Sequence, residues 1–297
     1  MGKMAKVNDY YDAVANTYGD QYDRDKLLEM EIYPADYFRM QMMLTSFLKH
    51  GVKRALEIGV GEGTPLSTLA RAGVDVWGID ISRNMVALCQ EKMSAMGADP
   101  KHIQWGDVTD PTTYVDVMRE GPFDALMAMG VMPHVQNDLQ TLKNMAACVR
   151  PGGKLFIEFR NRLFSLFTFN RYTHEFIMDD LLAGLDQEWK DQLSERLKPF
   201  LRLDMPPVRS TAADGEAPGY DAILSKFHNP LEIAPLFSAA GLGDLNFLWY
   251  HYHPSPPMLE TEDPKGFRTR AFSLEHENSG WRGMFLCSAF VVEAIRL

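Results

Sequence analysis

Five short apolar segments alternate with amphipathic stretches between residues 54 and 159. The apolar segments are residues 55–59, 74–79, 102–105, 123–128 and 154–159. Stretches with apolar residues at helical spacing separate them, near 65–72, 83–96, 111–119 and 138–148. Because a helical crossover returns the chain parallel to the preceding strand, this alternation predicts a doubly wound α/β fold with a mostly parallel sheet.

The chain before and after this stretch departs from the alternation. Residues 1–50 begin with a tyrosine-rich segment and then predict a helix over 34–50, whose apolar side chains we expect in the core. Residues 161–203 are aromatic-rich and predict helices, and residues 206–219, rich in proline, glycine and alanine, predict a long loop. These two stretches together interrupt the sheet.

The α/β pattern resumes near Asn229, where Asn-Pro is typical of the start of a helix. Strands are then predicted over 245–252 and 283–294. We therefore expect one α/β domain built from residues 51–159 and 230–297. Residues 1–50 would form an N-terminal helical segment, and residues 160–229 an inserted helical cap.

Charge and cysteine content restrict the partners of the chain. The net charge is −10, without a run of five basic residues, so neither nucleic acid nor an anionic membrane is an expected partner. The longest apolar stretch, 283–292, is short of the roughly 20 residues that span a bilayer. Three scattered cysteines and a start without a signal-peptide pattern predict a cytoplasmic location. We expect a small-molecule partner and a monomer or homodimer.

A glycine-rich loop follows the first predicted strand, in the sequence Ala-Leu-Glu-Ile-Gly-Val-Gly-Glu-Gly-Thr of residues 55–64. Glycines at this place let the backbone approach a ligand, while the N–H groups of the next helix point towards it. A dinucleotide fingerprint, G-x-G-x-x-G, requires glycine or alanine at position 64, where Thr64 stands. The observed pattern is instead an acidic residue, Glu57, followed by Gly59, Gly61 and Gly63.

This pattern resembles the first motif of the class I S-adenosylmethionine-dependent methyltransferases. Further similarities lie in register over about 105 residues: Asp80 after the second strand, Gly-Asp-Val at 106–108, Met-Gly-Val-Met at 129–132 and Arg-Pro-Gly-Gly-Lys at 150–154. The resemblance implies a seven-stranded Rossmann-like sheet with an antiparallel last strand, and S-adenosylmethionine as cofactor. It assigns cofactor binding to Tyr11, Tyr18, Glu57, Gly59, Gly61, Gly63, Asp80, Ile81, Met85, Asp107, Val108, Met129, Gly130 and Val131.

Individual roles follow from the same resemblance. Asp80 would accept hydrogen bonds from the two ribose hydroxyls, as an ionised carboxylate can. Asp107 would bind the adenine amino group, and the amide of Val108 the ring. Glu57 would suit the ammonium group of the cofactor, which carries no phosphate.

The segment from Tyr10 to Tyr22 resembles the lid found in many small-molecule members of that family, in which tyrosines close over the cofactor. Tyr11 and Tyr18 are its candidate contacts. The alternative is an amphipathic surface helix that packs through Tyr11, Val14 and Tyr18. A lid that excludes water is a common device in such sites.

Motifs of several macromolecular subtypes are absent. The sequence at 129–132 is not the N/D-P-P-Y/F motif that holds a base amine, no cysteine follows a proline, and Glu158 lacks the second glutamate of the arginine methyltransferases. We therefore expect methylation of oxygen or nitrogen in a small molecule, such as a sugar, a lipid-linked compound or a natural-product precursor. The added residues 160–229 and 253–282 would roof its pocket.

His134 is the candidate general base, because the loop after the fourth strand borders the methyl group in this family. A structural role for His134 stays open. Candidate substrate residues are Arg160, Asn161, Tyr172 and His228.

Arg160 either holds an anionic group of the acceptor or pairs with Glu175 or Asp179. His251 and His253 share one strand face, but no third ligand is recognisable, so no metal is predicted. Two other functions stay open: a nicotinamide-dependent oxidoreductase, and a non-catalytic cofactor-binding protein of the same fold.

Overall fold

A computed structural model describes residues 6–203 and 223–297 of the protein. Within these residues seven strands form one sheet in the order β3-β2-β1-β4-β5-β7-β6, and β7 runs antiparallel to both of its neighbours. The strands are β1 Arg54–Ile58, β2 Asp75–Asp80, β3 Ile103–Trp105, β4 Phe123–Ala128, β5 Val149–Arg160, β6 Leu242–Tyr252 and β7 Cys287–Arg296. The predicted seven-stranded α/β fold with an antiparallel last strand is confirmed.

Helices connect and cover the strands. They are α1 Val7–Tyr18, α2 Arg24–Leu28, α3 Ala35–Lys49, α4 Thr64–Arg71, α5 Arg83–Ala95, α6 Val115–Glu120, α7 Asp138–Cys148, α8 Arg171–Glu175, α9 Gln187–Leu197, α10 Ala234–Ala239, α11 Pro264–Leu274 and α12 Gly283–Leu286. Among the helices that the structure describes, none combines the length and apolar character that spanning a bilayer requires.

Both faces of the sheet are buried, as expected for a mainly parallel sheet. On one face α3, α4 and α5 pack against the strands, and the rings of Phe47 and Phe156 lie 5.2 Å apart. On the other face α7 and α10 contribute to a second cluster, in which Phe159 packs against Phe237 and Phe290. The molecule is therefore a three-layer sandwich around one sheet.

The order of the strands reverses between β1 and β4, because β2 and β3 lie on one side of β1 and β4 to β7 on the other. In open α/β sheets the helices diverge at such a point and leave a crevice at the carboxyl ends of the strands. The glycine loop between β1 and α4 borders this crevice. The fold thus places the most informative sequence motif where ligands bind.

The structure corrects one element boundary and leaves one prediction open. Residues 283–286 form α12 instead of the start of a strand, so the predicted strand 283–294 is wrong in its first four residues. A Cβ atom at Gly283 would lie 2.3 Å from the Trp249 ring, so this turn packs tightly against β6. The predicted loop over 206–219 lies outside the described residues.

Candidate active site

A cavity of about 470 Å³ opens at the carboxyl ends of β1, β2 and β4. We call it the cofactor cavity, after the residues predicted for it. All predicted cofactor residues except Glu57 and Gly63 line it: Tyr11, Tyr18, Gly59, Gly61, Asp80, Ile81, Met85, Asp107, Val108, Met129, Gly130 and Val131. Residues that are far apart in sequence therefore converge on one space, in the arrangement that the motifs predict.

The glycine loop needs glycine for conformation and for space. Gly59 has φ 76° and Gly61 φ 55°, values that residues with a side chain rarely adopt. A Cβ atom at Gly59 would lie 2.7 Å from Cγ2 of Val131, which also lines the cavity. The loop therefore forms a cradle in which a side chain at position 59 would press against Val131.

Glu57 and Gly63 lie behind the wall of this cavity. Glu57 is 2% exposed, and burial raises the pKa of its carboxyl well above the usual value. Its Oε2 atom has no hydrogen-bond partner within the two described ranges, which fits the prediction that a cationic group of a ligand completes it. A Cβ atom at Gly63 would lie 2.6 Å from Sγ of Cys89, so this glycine lets α5 pack closely.

Asp80 projects from the end of β2 into the cofactor cavity. Its Oδ2 atom accepts a hydrogen bond from the N–H of Gly61 (2.9 Å), and Oδ1 accepts one from the N–H of Ser82 (2.8 Å). Burial raises the pKa of Asp80 to about 6, although these two hydrogen bonds act in the opposite direction. The carboxylate is therefore fixed in place and ionised at neutral pH.

Asp107 is held by the turn that follows β3. Its Oδ1 atom accepts hydrogen bonds from the N–H (2.9 Å) and the hydroxyl (2.7 Å) of Thr109, while its own N–H donates to Thr113 (2.9 Å). Asp107 and Val108 line the same cavity as Asp80 and the glycine loop, although they are far from both in sequence. The cavity thus has acidic acceptors on two separate strand ends, which suits a nucleoside.

Helix α1 covers the cofactor cavity and is fastened to α5. Asp12 accepts hydrogen bonds from the Ser82 hydroxyl and from the N–H of Asn84 (3.2 Å), and the Asn84 amide donates to the carbonyl of Asp12 (3.0 Å). Sequence reasoning did not select Asp12 as a site residue, although it stands next to Tyr11 in the lid motif. Its role depends on the docking of α1, which the motif alone does not give.

A second cavity, of about 490 Å³, adjoins the first, and we call it the acceptor cavity. Tyr11, Tyr18, Gly130 and His134 line both. The walls of the acceptor cavity combine aromatic rings, including Tyr172 and Phe227 with centroids 5.3 Å apart, with charged side chains. The two cavities meet at the lid tyrosines and the loop after β4.

His134 stands at this junction. Its Nδ1–H donates to the carbonyl oxygen of Leu224 (2.6 Å), because a carbonyl oxygen can only accept. In the neutral ring Nε2 is then an acceptor, and it receives the hydroxyl of Tyr11 (3.1 Å). Burial and the nearby Arg160 lower the pKa of His134, against the effect of the Leu224 hydrogen bond. A neutral imidazole with its lone pair at Nε2 can take up a proton here.

A buried ion-pair network forms another wall of the acceptor cavity. Oε2 of Glu158 accepts hydrogen bonds from Arg39 (2.9 Å) and from the N–H of Gly130 (2.9 Å), and Arg39 also pairs with Asp36 (2.8 Å). Arg39 further donates to the hydroxyl of Tyr22 (3.3 Å). Sequence reasoning missed Arg39, since only the packing of α3 across the sheet brings it to β5.

The predicted substrate residues divide into two groups. Arg160 and Tyr172 line the acceptor cavity. Arg160 donates to the hydroxyl of Ser225, and its guanidinium lies 5.8 Å from the centre of the Phe227 ring. Glu175, one of the two partners considered for Arg160, pairs with Arg171 (3.2 Å).

Asn161 and His228 lie outside both cavities. Asn161 is 0% exposed, and its amide donates to the carbonyls of Met284 and Cys287, both at 2.8 Å, so its side chain joins β5 to the α12 region. His228 bonds to Asp138 (3.1 Å). The structure therefore places both side chains away from the two cavities, contrary to the expected position of substrate residues.

The two histidines near the end of β6 have different environments. His251 lines the acceptor cavity, whereas His253, just after β6, is buried, and its ring stacks on that of His251 with 5.0 Å between ring centres. In the part of the chain that the structure describes, no group of three or more His, Cys, Asp or Glu side chains is arranged to hold a metal ion.

Comparison with known proteins places these features in context. Residues 55–153 match the family model described as a methyltransferase domain. The ubiquinone biosynthesis O-methyltransferase of Coxiella burnetii (strain Dugway 5J108-111) is 29% identical over 132 residues, which are 44% of this chain and 54% of that protein. The protein of the same name from Aromatoleum aromaticum is 30% identical over 134 residues, with the same two shares.

The chain thus spans about half the length of these curated relatives. Among solved structures, an S-adenosylmethionine-dependent methyltransferase from Clostridium acetobutylicum superposes with a TM-score of 0.53. The superposition covers 94% of this chain and 98% of that one at 9% identity. This likeness extends over nearly the whole chain and concerns the fold.

Proposed function

The chain belongs to the class I S-adenosylmethionine-dependent methyltransferases, and we propose from this premise that it methylates a small-molecule acceptor. The observation that carries the proposal is the junction of two cavities at Tyr11, Tyr18, Gly130 and His134. One cavity has the residues of the cofactor motifs, and the other provides room for a second molecule. A methyl group would pass between them at this junction.

The residues of the cofactor cavity fit the groups of S-adenosylmethionine. The cradle at Gly59 leaves space for the methionine portion of the cofactor. The unpartnered Oε2 of Glu57 suits its ammonium group, and Asp80 suits its ribose hydroxyls. When bound, the cofactor supplies a methyl group already activated by a sulfonium. The protein then has to position the acceptor and exclude water, and α1 with its tyrosines serves the second need.

We further propose that the methylated atom is a hydroxyl oxygen. The lone pair at Nε2 of His134 lies at the junction, where an acceptor hydroxyl would replace the Tyr11 hydroxyl as its hydrogen-bond donor. When a bound cofactor supplies its methyl group to that oxygen, Nε2 of His134 would take up the hydroxyl proton. The relatives named above are O-methyltransferases, which agrees with this choice.

Titration calorimetry with S-adenosylhomocysteine tests the cofactor part of the proposal. We expect one binding site per chain and no competition from NAD, because Thr64 departs from the dinucleotide fingerprint. Binding of NAD in place of S-adenosylhomocysteine would contradict the proposal and support an oxidoreductase. Absence of binding by either compound would also contradict it.

A further inference from the structure

His251, near the end of β6, has an unusual backbone conformation on the wall of the acceptor cavity. Its φ is 63°, in the left-handed region that residues with a side chain rarely occupy. Such conformations persist only where the surroundings enforce them, and they are common at ligand sites. An ordinary strand does not need this conformation.

A buried carboxyl group holds this conformation. Glu275 is 5% exposed, and its Oε1 atom accepts a hydrogen bond from the backbone N–H of Tyr252 (2.9 Å). The hydroxyl of Tyr33 donates to the carbonyl of Tyr252, and the ring of His253 bonds to the carbonyl of His251 (3.0 Å). Three side chains from separate parts of the chain therefore hold the backbone of residues 251 and 252.

Neighbouring rings hold the His251 side chain as well. Tyr33 lies 4.8 Å away and His253 5.0 Å away, measured between ring centres. Within residues 6–203 and 223–297, neither ring nitrogen of His251 has a hydrogen-bond partner in the protein, although the residue lines the acceptor cavity. A ring so fixed, with its polar atoms unused, is prepared to bind a ligand.

The charge state of the ring defines what it can bind. Burial, with Arg39 and Arg160 nearby, lowers the pKa of His251 to about 3. The imidazole is therefore neutral at physiological pH and offers one donor and one acceptor. It is too weakly basic to share the role of His134. The two residues also differ in place, because His134 lines both cavities and His251 lines only the acceptor cavity.

We propose that His251 is a substrate-recognition residue, which hydrogen bonds to an oxygen of the acceptor other than the methylated one. Aromatic rings line the same cavity as His134 and His251, namely those of Phe164, Tyr172, Phe227 and Tyr250. They suit a flat acceptor ring that hydrogen bonds to both histidines. The acceptor class is thus a ring compound with at least two oxygen substituents. This inference rests on the proposed function for the identity of the cavity.

Binding of simple phenols tests the inference without knowledge of the natural acceptor. The affinity of phenol and of the three dihydroxybenzenes is measured by titration of the protein saturated with S-adenosylhomocysteine. We expect the best dihydroxybenzene to bind about five- to tenfold more tightly than phenol, the gain of one additional hydrogen bond. In His251→Gly this gain should disappear, while phenol and S-adenosylhomocysteine bind as before.

Two variants separate recognition from backbone effects. His251→Asn keeps a hydrogen-bonding side chain that tolerates a positive φ, so it should retain part of the gain. Asp244 is another residue of β6 with a positive φ (53°), but it is exposed and lines neither cavity. Asp244→Gly is therefore the control for the backbone change, and it should behave like wild type.

Two results would overturn the inference. One is an equal affinity of wild type for phenol and for every dihydroxybenzene, and the other is an undiminished gain in His251→Gly. Neither result depends on methyl transfer or on the affinity for S-adenosylhomocysteine, so failure of this inference is distinguishable from failure of the proposed function.

Discussion

We predict that Asp80 couples the affinity of the cofactor cavity for its ligand to pH. Burial raises the pKa of its carboxyl to about 6, so the group is ionised above about pH 6 and protonated below it. Protonation removes the charge and one acceptor site that the ribose hydroxyls would use. We therefore predict that binding of S-adenosylhomocysteine weakens by roughly tenfold between pH 7 and pH 5, measured by calorimetry.

The Asp80→Asn variant is the control for this pH dependence. Its amide is isosteric and does not titrate in this range, so binding should be weaker at pH 7 and nearly constant down to pH 5. The same fall in affinity with pH in Asp80→Asn would assign the titration to another group.

His134 is predicted to act in the chemical step and not in cofactor binding. His134→Ala removes the neutral Nε2 at the junction of the cavities. We predict a fall of about a hundredfold or more in turnover at saturating acceptor, with little change in the affinity for S-adenosylhomocysteine. Turnover equal to wild type would leave His134 with a structural role only.

Predictability at the residue scale depends on how local the signal is. Gly59, Asp80 and Asp107 were predictable because each stands at a fixed place after a strand, and the fold alone brings such places together. Asn161 also follows a strand, but its side chain turns away from the cavity to the α12 region. The position of Arg39 depends on how α3 packs across the sheet, which no local pattern encodes.

At the scale of elements, the side chain of Asp12 contributes two of the hydrogen bonds that hold α1 over the cofactor cavity. Asp12→Ala removes the acceptor for Ser82 and Asn84. We predict that S-adenosylhomocysteine dissociates several-fold faster, about tenfold at most, because the lid opens more often. Stopped-flow displacement measures this rate.

A matched substitution on the same helix controls for effects on its stability. Asp9 is exposed and lies one turn before Asp12, outside both cavities. Asp9→Ala should leave the dissociation rate unchanged. Equal rates in the Asp12 and Asp9 variants would show that the contact with α5 does not control the lid.

The glycine loop gives a second prediction at this scale. A Cβ atom at Gly59 meets Val131, whereas Gly73 has a similar φ of 87° and no atom within 4 Å of its Cβ position among the described residues. Both Gly59→Ala and Gly73→Ala should lose roughly 1 kcal/mol of stability to backbone strain. Gly59→Ala should lose more than Gly73→Ala, because its Cβ atom also meets Val131. Only Gly59→Ala should weaken the binding of S-adenosylhomocysteine, by more than tenfold. Equal affinities of the two variants for S-adenosylhomocysteine would exclude a role of the cradle in binding.

Elements were predictable where the periodicity of the sequence is clear. The strands β1, β2 and β4 follow short apolar segments, and the helix α3 follows an apolar pattern of period 3.6. The structure places all four within a few residues of the predicted bounds. The start of β7 was mistaken because residues 283–286 are as apolar as the strand that follows. Their turn is set by packing against Trp249, a tertiary contact.

At the scale of the whole molecule, one seven-stranded sheet organises the described residues. β7 inserts between β5 and β6, so the carboxyl-terminal residues complete the sheet that the first five strands begin. We propose that residues 51–159 and 230–297 form one domain, with additions at 1–50 and 160–229. The additions supply Tyr11, Tyr18 and Tyr172 to the cavities, beside residues of the sheet such as His251.

The charge of the whole molecule says less about its ligands than the charges within the acceptor cavity. The chain has a net charge of −10, yet Arg39 and Arg160 face this cavity together with Asp36 and Glu158. Recognition would therefore depend on local hydrogen bonds and aromatic contacts and not on a global field. A small, ring-containing acceptor fits such a surface.

Transfer of labelled methyl groups tests the central claim, that this protein methylates a small molecule, most directly. The protein is incubated with S-adenosylmethionine labelled in its methyl group and with a cell extract divided by size. Gly59→Ala serves as the control, at a cofactor concentration too low to saturate this variant. We predict that wild type transfers label to a compound of the small-molecule fraction and that Gly59→Ala transfers much less. Label in the macromolecular fraction, or in neither fraction although S-adenosylmethionine binds, would contradict the account.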